Sequence, residues 1–85
     1  MEAVKAYIDI SKFWPREPDG QMKSVYSVWQ IFQGTEIQIN RLPLTNARDG
    51  KMASADVTNI FKLSKICSVL AGKPVSIEEI IKIKD

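Results

Sequence analysis

Histidine is missing from all 85 residues of this chain, and cysteine occurs once. Without histidine there is no serine–histidine triad, no cysteine–histidine pair and no histidine-bearing zinc site. The single Cys67 cannot form an internal disulfide and has no histidine to activate it, so a small buried apolar residue is its expected role. A lone cysteine with no disulfide framework suits a reducing compartment, and an intracellular location, nuclear or cytoplasmic, is expected. Long hydrophobic runs are lacking too. The longest apolar-rich stretch, Val25 to Phe32, is far too short to span a bilayer, so no membrane partner is expected. Glu2 and Asp9 interrupt the segment where an export signal would need its apolar core. A strong charge of either sign is also absent, since 12 basic against 10 acidic residues leave only +2. Dedicated nucleic-acid binders often carry a large basic excess, because phosphate neutralisation supplies most of their affinity. Here the charge permits such a role without arguing for it.

The standard phosphate and metal motifs fail as well. Gly72-Lys73 lacks the upstream glycine and following hydroxyl residue of a P-loop, and Asp49-Gly50 lacks the alternating acids of a calcium loop. Adjacent Glu78 and Glu79 point to different helix faces and cannot share a metal or act as an acid–base pair. No catalytic residue, metal site or cofactor is therefore expected, and the chain reads as a non-enzyme.

What is there is alternation followed by helical spacing. From Val4 to Phe13, Val4, Ala6, Ile8 and Ile10 alternate with Lys5, Tyr7, Asp9 and Ser11, which predicts a half-buried strand. Trp14-Pro15 and the Pro18-Asp19-Gly20 cluster stop it. The β-branched and aromatic run Lys23 to Gln33 predicts a second strand, and Thr35 to Leu42 a third, with Gln33-Gly34 as a two-residue hairpin turn and Pro43 as the end. Thr45 to Gly50 reads as a polar loop. A helix is predicted from Ser54 to Ala71, with Ser54 as N-cap, Asp56 at the positive end of the helix dipole, and Gly72 as a left-handed C-cap. Its core stripe is Val57, Ile60, Phe61, Ser64, Cys67, Leu70 and Ala71. Ser76-Ile77-Glu78-Glu79 is a capping box for a second helix, with Val75 stapled on Ile80. The expected fold is one small α+β domain over residues 1–85, or a piece of a longer chain. It is a three-stranded antiparallel β-meander followed by two α-helices packed on the face carrying Ile37 and Ile39.

Two surfaces are candidates for function. Arg41, Arg48, Lys51, Lys62 and Lys65 flank the loop before the first helix or lie on that helix; together they would make a phosphate-contacting edge, while separately they would only solvate it. The hairpin register leaves Val25, Trp29, Ile31 and Leu42 on the polar face of the sheet, either as a partner-binding anchor that includes self-association or as a face covered by another element. The two helices joined by Gly72-Lys73-Pro74-Val75 suggest a helix-turn-helix, against which Glu78 and Glu79 would repel phosphates.

The run Ile37-Gln38-Ile39-Asn40-Arg41, then Arg48-Asp49-Gly50-Lys51-Met52-Ala53-Ser54-Ala55-Asp56-Val57-Thr58-Asn59-Ile60-Phe61-Lys62, resembles the centre of a KilA-N or APSES domain. That pattern has a strand bearing arginine, an aspartate–glycine turn, a small-residue step into a helix, and a hydrophobic pair followed by lysine. The resemblance covers residues 25–83, and the family has threonine where Asp56 stands. It implies a DNA-binding module with Arg41, Arg48, Lys51, Lys62 and Lys73 as contacts. Some relatives are protein-docking modules, which matches the alternative of a protein-interaction module or small inhibitor.

Overall fold

In a computed structural model, residues 5–84 are described. The elements are β1 (Lys5–Ile8), a 3-10 turn (Ser11–Phe13), α1 (Val25–Ile31), α2 (Arg41–Arg48), α3 (Val57–Ala71), α4 (Ile77–Ile80) and β2 (Ile81–Lys84). The class is α+β, with four helices and a two-stranded antiparallel sheet among the described residues. Val4, expected to open the first strand, lies outside them.

The first strand is shorter than its alternation implies. The Asp9 carboxylate accepts the Ser11 N–H at 2.9 Å and the Ser11 hydroxyl at 2.6 Å, which curls the chain into the 3-10 turn. The Pro18-Asp19-Gly20 cluster does turn the chain: the Glu17 N–H donates to the Gln21 carbonyl at 2.7 Å, around Gly20 at φ +90°.

The second and third strands do not form. Lys23 to Gln33 contains α1 instead, and Arg41 opens α2. Ser24 caps α1 by accepting the Ser27 N–H at 3.1 Å. Val25, Val28, Trp29 and Phe32 stand at i, i+3, i+4 and i+7, and all four pack into the core cluster. Strand-favouring side chains were overridden by that packing. Gly34, at φ +78°, follows a helix end rather than turning a hairpin. Pro43 ends nothing: it is the third residue of α2, where the missing N–H has no intrahelical acceptor in any case.

α3 starts later than predicted because Asp56, not Ser54, is the cap, accepting the Asn59 N–H at 2.7 Å. Gly72 closes the helix in the left-handed conformation at φ +70°, as its position suggested. The following loop is tied back to the helix. The Ser64 hydroxyl, which is buried, donates to the Val75 carbonyl at 2.7 Å, and the Val75 N–H donates to Ser68 Oγ at 2.9 Å.

The capping box is present, but its helix is one turn long. The Ser76 N–H donates to Glu79 Oε2 at 2.6 Å, which holds that carboxyl below its ordinary value. A helix this short cannot act as a recognition helix, so the helix-turn-helix expectation fails. The chain then extends into β2, which pairs antiparallel with β1 in the register Lys5↔Lys84, Ala6↔Ile83, Tyr7↔Lys82 and Ile8↔Ile81.

The residues that end β1 stitch the molecule together. The Ile8 N–H donates to the Met52 carbonyl (2.8 Å), that of Asp9 to Ile80 (3.0 Å) and that of Ile10 to Ala47 (3.0 Å). Beneath them lies a core in which Ile10, Val28, Leu44, Leu63, Ile66, Cys67 and Ile80 are fully buried. Burying each large aliphatic side chain contributes about 1.5–3 kcal/mol. The α3 stripe keeps Ser64 and Cys67 buried and Ile60, Leu70 and Ala71 against the core, as predicted, but shifts towards Leu63 and Ile66 and away from Val57 and Phe61. Leu63, Ser64, Ile66 and Cys67 face inward, whereas Val57 is 82% and Phe61 52% exposed.

Candidate nucleic-acid interface

Residues opposite each other in an antiparallel pair share a face, as do residues two apart on one strand. The register therefore puts Lys5, Tyr7 and Lys82 on one face of the β1–β2 sheet, and Ala6, Ile8, Ile81 and Ile83 on the other. The second face carries the core contacts of Ile8 and Ile81. The first borders an open groove of about 740 Å³ lined by Lys5, Ala6, Tyr7, Asp9, Asp49, Gly50, Lys51 and Ala53.

Gly50 shapes the groove wall. Its φ is +69°, where an L side chain is strained, and a Cβ there would crowd Asp9 Oδ2 at 3.0 Å, so glycine suits the close approach of the loop to Asp9. The two acids in the groove are internally engaged. Asp49 pairs with Arg48 Nε at 2.9 Å, the one ion pair among the described residues, and Asp9 holds the Ser11 turn. Lys5 and Lys51 line the groove and Lys82 stands opposite the half-buried Tyr7 on the adjoining strand, while Asp9, bonded only to the uncharged Ser11, keeps its negative charge there.

Of the residues expected to contact DNA, Lys51 alone lines this groove. Arg41 and Arg48 open and close α2, about 10 Å apart along its axis. The Arg48 guanidinium is half-buried, paired with Asp49 and stacked over the Trp14 ring at 5.7 Å. Lys62 is half-buried in the middle of α3, and Lys73 is exposed just beyond its Gly72 cap. The five are spread over α2, the Gly50 turn, α3 and the loop after its cap.

The residues of the alternative surface are not on a sheet face, because that sheet is absent. Val25 and Trp29 pack on the core from α1. Ile31 is 57% exposed and Leu42, on α2, is 70% exposed. Two residues along a helix are rotated by about 200°, so Ile31 and Trp29 flank α1 on opposite sides.

One unexpected meeting joins the two sets. Arg41 places its guanidinium 5.2 Å from the Trp29 ring centroid and 5.7 Å from that of Tyr26. The two rings are 5.7 Å apart and inclined by 32°, and the Gln30 side chain donates to the Tyr26 hydroxyl at 2.9 Å.

The capping box at Ser76 announces a helix but not where it stops, so the sequence alone does not place Lys82 on a strand beside Lys5. The alternation Ile81-Lys82-Ile83-Lys84 was the signal for a strand with one basic face. No family model matches the chain, and no curated protein or solved structure matches it.

Proposed function

We propose that this chain is a non-enzymatic DNA-binding module that takes the phosphate backbone into the groove beside β1. The observation that carries the reading is the placement of Lys5 and Lys51 in one groove, with Lys82 opposite Tyr7 on the adjoining strand and the Asp49 charge offset by Arg48. Ammonium groups without fixed partners exchange water for phosphate at little cost, and the released counterions drive binding. The KilA-N/APSES resemblance points to the same class of ligand.

The test is fluorescence anisotropy with a labelled 20-nucleotide DNA, as single strand and duplex, at low salt. A Lys51→Glu/Lys82→Glu variant that keeps its circular dichroism should bind roughly tenfold or more weakly. Equal affinity would remove the groove from the account.

A second reading, protein docking, is favoured by one observation. Val57, Phe61 and Val69 are exposed along one row of α3, at 82%, 52% and 58%, with Lys65 between Phe61 and Val69. The only charges on that helix are Lys62 and Lys65. Such a strip suits an amphipathic helix edged with carboxylates, and it disfavours a second copy of this chain, which would oppose lysine to lysine. Docking there would show a negative heat-capacity change, and DNA affinity would be absent.

A further inference from the structure

We infer that Tyr26, Trp29 and Arg41 form a stacking platform for the bases of a single-stranded nucleic acid. The inference rests on the nucleic-acid reading above and specifies its ligand. Its starting point is the arrangement on α1 and α2: a guanidinium over two aromatic rings, with Tyr26 locked by Gln30. Tyr26 is 51% exposed, Arg41 is exposed and Trp29 is half-buried. The inner side of the cluster is thus anchored in the core through Trp29, and its outer side is open to solvent.

Each part matches a requirement of an unpaired strand. A guanidinium held beside aromatic rings can offer a face to a base and its N–H edge to a phosphate. The single ion pair among the described residues belongs to Arg48, so no carboxylate competes for Arg41. Tyr26 adds a π-face, and base–aromatic stacking tolerates any sequence because every base has one. In a duplex those faces are already stacked on one another, so the platform selects a single strand. Preorganisation also counts, because the rings and the cation are in place before the ligand arrives.

The alternative role for the same contacts is a brace between α1 and α2, and the experiment separates the two. Oligo-dT of 15 nucleotides and a 15-base-pair duplex are titrated into the wild type and into Tyr26→Ala, Arg41→Ala, Arg41→Lys and Lys51→Glu/Lys82→Glu. Tryptophan emission, anisotropy and thermal melting are followed.

The platform predicts that oligo-dT quenches tryptophan emission, since Trp29 is the half-exposed one of the two tryptophans and Trp14 is buried. It also predicts that Tyr26→Ala and Arg41→Ala each weaken oligo-dT by roughly five- to a hundredfold, as loss of a stacked base does, while duplex affinity falls by less. Arg41→Lys, which keeps the charge and loses the plane, should fall between wild type and Arg41→Ala. Oligo-dT that binds without quenching, and ignores Tyr26→Ala and Arg41→Ala while still responding to the lysine variant, would overturn the platform and leave the groove standing. A lower melting temperature for Arg41→Ala with unchanged oligo-dT affinity would assign the brace role instead. Absence of binding to either nucleic acid by folded wild type would remove both proposals.

Discussion

Cys67 shows how placement decides the chemistry of a side chain. It is fully buried on α3, and burial pushes its thiol from an ordinary 9.0 up to about 12. The thiolate is the reactive species, so the native protein should resist a thiol reagent at pH 8, and labelling should track unfolding. Because the folded state holds this proton more tightly than the unfolded one, its contribution to stability is complete below pH 9. It is lost progressively as the pH rises from 9 towards 12. Rapid labelling of folded protein at pH 8 would show that Cys67 is accessible and that the core is assembled differently. The same logic separates the basic residues. Arg48 is bound to Asp49, Arg41 is stacked on rings, and Lys51 stands at a groove, although nothing in their identities distinguishes them.

Helix α3 offers a direct test of packing at the scale of an element. Leu63 is fully buried and Phe61 is half in solvent, under the Lys65 ammonium at 5.3 Å. Leu63→Ala should cost about 2–5 kcal/mol, whereas Phe61→Ala should cost about 1 kcal/mol or less by chemical denaturation. The reverse order would restore the stripe read from sequence. Elements with a local chemical signature were legible: the Gly72 cap, the Ser76–Glu79 box and the turn at Gly20 are written in adjacent residues and appear as read. Elements that depend on their neighbours were not. Val25, Val28, Trp29 and Phe32 fit helical spacing, yet they sit in a run of strand-favouring residues, and only the core decides between the two. Ile81 to Lys84 was hidden for a related reason: a helix start says nothing of where the helix stops, and here it stops after one turn because β1 offers a partner.

For the molecule as a whole, the proposed function turns on the pairing of β1 with β2, two segments distant in sequence. That pairing brings Lys82 beside Tyr7 and Lys5, and the Asp49–Gly50 turn swings Lys51 towards them. Such contacts are non-local, which is why Lys51 was legible as a candidate from its turn while Lys5 and Lys82 were not. The most direct measurement is the dissociation constant for oligo-dT as a function of salt, for the wild type and for Lys51→Glu/Lys82→Glu. The account predicts a straight line of log affinity against log salt, with a loss of about 0.7 in slope for each phosphate contact removed. The double variant should therefore give a line shallower by roughly 1.4. A wild-type affinity indifferent to salt, or a slope the double variant leaves unchanged, would contradict it.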